Sequence, residues 1–307
     1  MSASGAVPFT KVQGLGNDFV VIDLRTRASK PKSGRSPEDP GVVRAICDRH
    51  FGVGADGVLA ILPSEHGDAR MRVLNADGSE AEMCGNGIRC VAKVLYETDP
   101  TLRRSPLSID TGAGLLACEL DVDDGEVSAV TVEMGRPRFT RDEIPLLPAG
   151  SARAVREPID VRGRRFALTA VSMGNPHAVI FMDAASTGTA EDDLRALAEA
   201  YGPVAERHAM FPKRTNVEFA RVRDGEIDLV VWERGCGITL ACGTGACATA
   251  AAACVEERLP RGRVVPVHLP GGTLYITVAT DDSGVRMRGP ATIVFSSELD
   301  LARLVPR

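Results

Sequence analysis

Short apolar runs, most of them of strand length, recur along the chain and are separated by polar or glycine-rich stretches. "FVVID" (Phe19–Asp23) and "FALTAVSMGNPHAVIFM" (Phe166–Met182) read as β-rich segments. Each precedes a hairpin-like stretch, "GDARMRVLNADG" and "EFARVRDGEIDLVVWERG"; the second carries Asp224-Gly225 between alternating apolar residues, a hairpin turn signal. The period then changes. "IRCVAKVLYE" places Ile88, Val91, Val94 and Leu95 at helical spacing. "ACATAAAACVEE" is small and apolar nearly all round, which predicts a buried helix. Two further strand-like runs follow each helix. Strands, helix, strands predict an α+β protein with mainly antiparallel sheet. The polar, Pro/Gly-rich stretches Arg25–Gly41 and Pro148–Pro158 read as exposed loops.

The grammar is stated twice. "MCGNGIRC" and "ACGTGACA" place Cys84 and Cys242 at the head of the two helices, 158 positions apart (242 minus 84). The same offset relates Asn17 to Asn175, Gly67 to Gly225, Asn75 to Glu233, Gly85 to Gly243, Gly87 to Gly245 and Gly114 to Gly272. A constant offset in order marks two homologous halves of about 150 residues, an ordinary domain size. The expected division is residues 1–133 with 290–307 as one lobe carrying Cys84, and 134–289 as a second carrying Cys242. The stretch after Pro290 lies beyond the repeat and is expected to complete the first lobe's sheet.

Composition narrows the function only slightly. A hydrophobic fraction of 44% with 25% charged residues is that of a globular protein, and a net charge of −5 gives no reason to expect nucleic acid or an anionic membrane as partner. "MSASGAVPFT" lacks the basic and apolar regions of a secretory signal, and no apolar run has membrane-spanning length, so a cytoplasmic protein is expected. In a reducing compartment eight cysteines are core residues, metal ligands or reactive thiols rather than disulfides. Cys236, Cys242, Cys247 and Cys254 lie close together but contain no C-x2-C pair, which argues against a metal module. Cys47, Cys84, Cys90 and Cys118 complete the set; all but Cys84 and Cys242 read as core or incidental.

A thiol at a helix N-terminus meets main-chain N–H groups and the positive end of the helix dipole, and its pKa is expected to fall. The adjoining glycines let a ligand approach the backbone. A carboxylate fits the N–H groups of Gly85 and Asn86 on one side, and of Gly243 and Thr244 on the other. Two such half-sites facing each other across a cleft suit inversion of a stereocentre: one sulfur removes a proton from one face, the other delivers a proton to the opposite face.

These motifs are carried by a known family. "GLGNDF", "NADGSEAEMCGNG", "SMGNPH", "TNVEF" and "ERGCGITLACGTGACA" together resemble diaminopimelate epimerase, over about Lys11 to Pro290. The resemblance implies conversion of LL- to meso-2,6-diaminoheptanedioate without pyridoxal phosphate or another cofactor, in lysine and peptidoglycan precursor synthesis. It implies two pseudo-symmetric domains, each a sheet wrapped round a central helix, and a homodimer. It implies Cys84 and Cys242 as the acid/base pair, with Asn17 and the N–H groups of Gly85, Asn86, Gly243 and Thr244 at the reacting amino-acid end. Asn75, Asn175, Asn216, Glu233 and Arg234 would hold the distal end, with His177 near the cleft. The chain departs from the family pattern at Gly57, where some members carry Gln, and at Ile238, where many carry Glu. A two-thiol racemase of another amino acid, such as proline or hydroxyproline, is the alternative.

Overall fold

A computed structural model describes residues 6–25, 35–182 and 193–304. Its internal contacts divide the chain into two units, Met1–Val132 with Gly289–Arg307, and Glu133–Arg288.

The first unit runs β1 (Ala6–Gly14), β2 (Asn17–Asp23), α1 (Pro40–Cys47), β3 (Gly57–Leu62), β4 (Ala69–Asn75), β5 (Glu80–Ala81), α2 (Gly85–Thr98), β6 (Leu107–Thr111), β7 (Gly114–Asp123) and β8 (Glu126–Glu133). β1 pairs antiparallel with β2, β2 runs parallel to β3, β3 and β4 form an antiparallel hairpin, and β4 lies parallel to β6. The strand on the far side of β1 comes from the other end of the chain: β18 (Thr292–Asp300) pairs antiparallel with it, Pro8 opposite Glu298. The stretch beyond the repeat therefore does return to the first unit's sheet.

The second unit repeats this order: β9 (Glu157–Val161), β10 (Arg164–Ser172), β11 (Pro176–Phe181), α3 (Leu194–Ala205), β12 (Asn216–Arg223), β13 (Glu226–Glu233), β14 (Gly237–Ile238), α4 (Gly243–Val255), β15 (Val264–Leu269), β16 (Gly272–Val278) and β17 (Val285–Gly289). Shifting β1 by the sequence offset reproduces the limits of β10, and α2 and α4 begin at equivalent residues. β9 takes the place on β10 that β18 takes on β1. The β12–β13 hairpin turns at Asp224 and Gly225, with φ of 52° and 83°, the left-handed pair such a tight turn requires.

Each unit curls round one helix. α2 packs against β1, β2, β3, β4, β6, β7 and β18, and α4 against β10, β11, β12, β13, β15 and β16. Ile88, Val91, Val94 and Leu95 are buried in α2, as the helical spacing predicts. Every residue from Gly245 to Cys254 is buried in α4, because alanine, cysteine and threonine let the surrounding strands approach closely. Truncating a side chain such as Leu95, which is wholly buried, to alanine costs about 2–5 kcal/mol.

Three expectations are modified. The "GDARMRVLNADG" stretch is a single strand, β4, whose hairpin partner is the preceding β3. Three strands, not two, follow each helix. The sheet is mainly antiparallel, as expected, with parallel pairings where β2, β4, β11 and β13 meet later strands through crossovers. The loop expected over Arg25–Gly41 ends at Pro40, which starts α1 with its fixed φ; residues 26–34 of that stretch lie outside the described residues. The second loop ends at Glu157, where β9 begins, and within it only Ala154 is buried. No described helix is long and apolar enough to cross a membrane.

Candidate active site: two cysteine-capped helices

Cys84 and Cys242 are the N-cap residues of α2 and α4. Their backbones nearly coincide, with φ, ψ of −138°, 114° and −123°, 108°. In each, Sγ accepts a hydrogen bond of 3.4 Å from the N–H three residues on, Gly87 or Gly245. The repeated turn is thus a helix cap in which sulfur replaces the usual side-chain oxygen. Gly85 and Asn86 in α2, and Gly243 and Thr244 in α4, lie in the first turn, where N–H groups have no acceptor within the helix and the dipole favours an anion. Gly245 has a second reason to be glycine: a Cβ there would lie 3.2 Å from both Cys242 Sγ and Glu218 Oε1.

Around Cys84 the polar groups form one chain. Asn17, at the start of β2, donates from Nδ2 to Asp56 Oδ2 at 2.7 Å. Its Oδ1 accepts from Asn86 Nδ2 at 3.3 Å and faces Cys84 Sγ at 3.9 Å. Asn86 Oδ1 accepts in turn from Arg89 at 2.9 Å. Arg89 is wholly buried and also donates to the Gly85 and Pro290 carbonyls, so it ties the first turn of α2 to the chain leading into β18. Asn75, at the end of β4, bonds Ser79 Oγ through Nδ2 at 3.0 Å. Gly57 belongs to the β3–β4 hairpin, where a Cβ would meet the Leu74 carbonyl oxygen at 2.6 Å; in this chain glycine is required by the strand's close approach.

Around Cys242 the set is larger. Thr244 Oγ1 lies 3.6 Å from Cys242 Sγ and accepts from Asn175 Nδ2 at 3.3 Å. Asn175 Oδ1 meets His177 Nε2 at 2.9 Å, and His177 Nδ1 meets Glu218 Oε1 at 2.6 Å. His177 and Glu218 are both completely buried. Glu233, at the end of β13, accepts from the Thr239 hydroxyl, and its charge bears on Cys242. Burial pushes the Glu218 and Glu233 carboxyls above the ordinary carboxylate range.

The expectation of a lowered thiol pKa is reversed at Cys242. Burial first, and then the neighbouring Glu233 and Glu218 carboxyls, push this thiol well above its ordinary value, outweighing the helix terminus and the Thr244 hydroxyl. Asn216 is engaged by main chain on both sides, donating to the Pro176 carbonyl at 3.1 Å and accepting from Arg234 N–H at 2.9 Å. Arg234 is exposed; its guanidinium donates to the Lys213 carbonyl and makes no ion pair among the described residues. Ile238 packs against the second unit's apolar core.

Asp56, Arg89, Glu218 and Thr239 were not singled out in the sequence. Three of them lie in quoted motifs: Arg89 inside "MCGNGIRC", Glu218 as the one acidic residue of "TNVEF", and Thr239 inside "ERGCGITLACGTGACA". The remaining cysteines lie away from the two helix caps or within the helices. Burial holds Cys47, Cys90 and Cys118 at about 12; Cys247 and Cys254 are buried on α4, and Cys236 is exposed.

Solved structures define the class. A hydroxyproline epimerase from Agrobacterium vitis matches with a TM-score of 0.69 at 17% identity, over 97% of this chain and 92% of that one. A methylitaconate-delta-isomerase matches at 0.64 and 15%, over 100% and 98%. The chain has the fold of this group of epimerases and isomerases.

Sequence comparison narrows the class. The diaminopimelate epimerase family model matches residues 9–140 and 169–294. A diaminopimelate epimerase of Pelotomaculum thermopropionicum is 48% identical over 94% of this chain and 98% of that relative, and one of Moorella thermoacetica is 45% identical over 95% and 99%. The chain belongs to the diaminopimelate epimerase family and is an isomerase.

Proposed function

We propose that this protein interconverts LL- and meso-2,6-diaminoheptanedioate by two-base proton transfer at one α-carbon, with Cys84 and Cys242 as the two bases. The observation that carries the reading is the pair of equivalent cysteine-capped helices in a member of this family. One sulfur, as thiolate, takes the α-proton; the other, as thiol, gives its proton to the opposite face. The substrate ends with as many protons as it began with, and the two sulfurs have exchanged states. First-turn N–H groups of α2 and α4, at Gly85, Asn86, Gly243 and Thr244, hold the α-carboxylate and stabilise the carbanion beside it. Asn17 orients the reacting end through its amide contacts beside Cys84. Asn175 is assigned to the reacting end rather than the distal one, because it bonds Thr244 beside Cys242.

Arg234, exposed and without a carboxylate partner, offers its planar fork to the distal carboxylate, and Asn75 and Asn216 border the distal ammonium. Glu233 is assigned to the surroundings of Cys242 rather than to the distal end, because its carboxyl is held by Thr239 and its charge raises the thiol. We further propose that the enzyme works as a homodimer in the cytoplasm, supplying lysine and peptidoglycan precursors.

The test is incubation with LL-diaminoheptanedioate in D2O, followed by NMR. Deuterium should enter Cα as the meso isomer forms, and Cys84→Ala or Cys242→Ala should each abolish turnover in a folded protein. Near-wild-type turnover by either variant refutes the two-base assignment. Faster exchange with proline, hydroxyproline or glutamate moves the substrate to that amino acid.

A further inference from the structure

The two units solve the same problem around their cysteines in opposite ways. At the positions equivalent to His177 and Glu218 the first unit has Phe19 and Leu59, both buried and apolar, Leu59 facing Gly87 as Glu218 faces Gly245. The framework therefore stands without a buried His–Glu pair, and the second unit carries one behind its active cysteine. That pair is costly to bury, and Glu218 Oε2 has no hydrogen-bond partner among the described residues.

We propose that Glu218 is a positioning residue for Cys242: acting through His177, Asn175 and Thr244, it turns a hydroxyl hydrogen toward the sulfur. The inference rests on the reading of Cys242 as an acid/base group. The direction of each bond follows from what each atom can do. Asn175 Oδ1 only accepts, so His177 Nε2, 2.9 Å away, carries a hydrogen. His177 Nδ1, 2.6 Å from Glu218, then either accepts from the Glu218 acid or, as imidazolium, donates to its carboxylate. Both forms hold one shared proton, and both leave Nε2 protonated. Asn175 Nδ2 only donates, so Thr244 Oγ1 is the acceptor at 3.3 Å, and its own hydrogen remains for Cys242 Sγ at 3.6 Å. Gly245 leaves room for Glu218 and the sulfur to meet the same point at the head of α4.

Loss of the shared proton would reverse the chain. An ionised Glu218 beside a neutral histidine demands hydrogen on Nδ1; Nε2 would then need a donor, Asn175 would turn over, and Thr244 would offer Cys242 a lone pair. The titratable groups around Glu218 are His177 on β11, Glu233 on β13 and Cys242 at the head of α4. Burial, with its carboxyl raised, keeps the shared proton in place. In the first unit Asp56 sets the opposite sense: it can only accept from Asn17 Nδ2, so Asn17 Oδ1 faces Cys84. Cys84 thus meets a side-chain acceptor, whereas Cys242 meets a side-chain donor.

The test compares wild type, Glu218→Leu and Glu218→Gln. Glu218→Leu should lower kcat about ten- to a hundredfold, the loss of one hydrogen bond to a charged group, with KM little changed. Glu218→Gln, which can still donate to Nδ1, should recover most of that loss. Wild-type kcat in Glu218→Leu, or a Glu218→Gln enzyme as impaired as Glu218→Leu, overturns the proposal. Nitrogen-15 NMR of the histidine-labelled wild type supplies a reading that needs neither substrate nor a variant that folds. His177 Nε2 should be protonated at neutral pH; an unprotonated Nε2 overturns the arrangement even where the activity assay succeeds.

Discussion

Gly245→Ala puts one methyl group where the second unit has least room. Gly245 is not among the positive-φ glycines, so backbone conformation does not explain it; space does. The new Cβ would lie 3.2 Å from Cys242 Sγ and from Glu218 Oε1, against an ordinary separation of about 3.5–4.0 Å for carbon contacts. Sulfur, carboxyl or helix must therefore yield by about half an ångström. Two stability terms oppose each other. Alanine gains about 1 kcal/mol over glycine inside a helix, while overpacking a filled site costs about 1–3 kcal/mol. The net change is about 0–2 kcal/mol, a modest shift in melting temperature. Catalysis is far less tolerant: about 1 Å of misplacement costs ~100-fold, so half of that costs about tenfold in kcat. Steady-state epimerisation at saturating substrate, beside a thermal melt, measures both quantities. A folded Gly245→Ala enzyme with kcat within about twofold of wild type would refute the claim that this glycine sets the sulfur's position.

Arg234→Lys should raise KM strongly with the fold intact, because an ammonium cannot reproduce a planar fork on a carboxylate; an unchanged KM removes Arg234 from the substrate. Arg89→Met leaves the Gly85 and Pro290 carbonyls and Asn86 Oδ1 without this donor in a buried place, and should destabilise by about 3–5 kcal/mol in urea unfolding. A loss under about 1 kcal/mol would show the site relaxes around it. Glu218 and Glu233 have raised folded-state values, so above the ordinary carboxyl value of 4.5 the native state holds more protons than the unfolded chain, and their contribution falls as pH rises toward the raised values. Glu218→Gln should therefore gain in melting temperature relative to wild type between pH 5 and pH 8. A constant difference across that range contradicts a raised Glu218.

Much of this architecture can be read from residues alone, and the exceptions have physical causes. The 158-residue offset survives because glycines at tight turns and cysteines at helix caps tolerate few replacements. Ile88 to Leu95 show a helix because one face is apolar at helical spacing. α1 and α3 were not anticipated: α1 is one short amphipathic turn pair behind a proline, and α3 carries Gly202 and Pro203 near its end, which weakens any periodic signal. β1 hid because Lys11, in mid-strand, is buried and satisfied by Asp18 and the Gly54 carbonyl, neither of which a strand pattern reveals. Glu218 was illegible as a functional residue for a related reason. A glutamate in an alternating strand reads as its wet face, and only the fold brings His177, 41 positions earlier, against it. The lowered thiol expected from a helix terminus was overruled at Cys242 by burial and by carboxyls that the sequence does not place.

β18 has a consequence for how the chain is made. The unit that begins first on the ribosome is finished last, since β1 waits for residues 292–300 to cover its outer edge. The intervening lobe, Glu133–Arg288, is contiguous and can fold as soon as it emerges. Until residues 292–300 have emerged, β1 leaves a naked strand edge, the kind of template that invites intermolecular pairing. Slowed elongation across that stretch would lengthen the exposure.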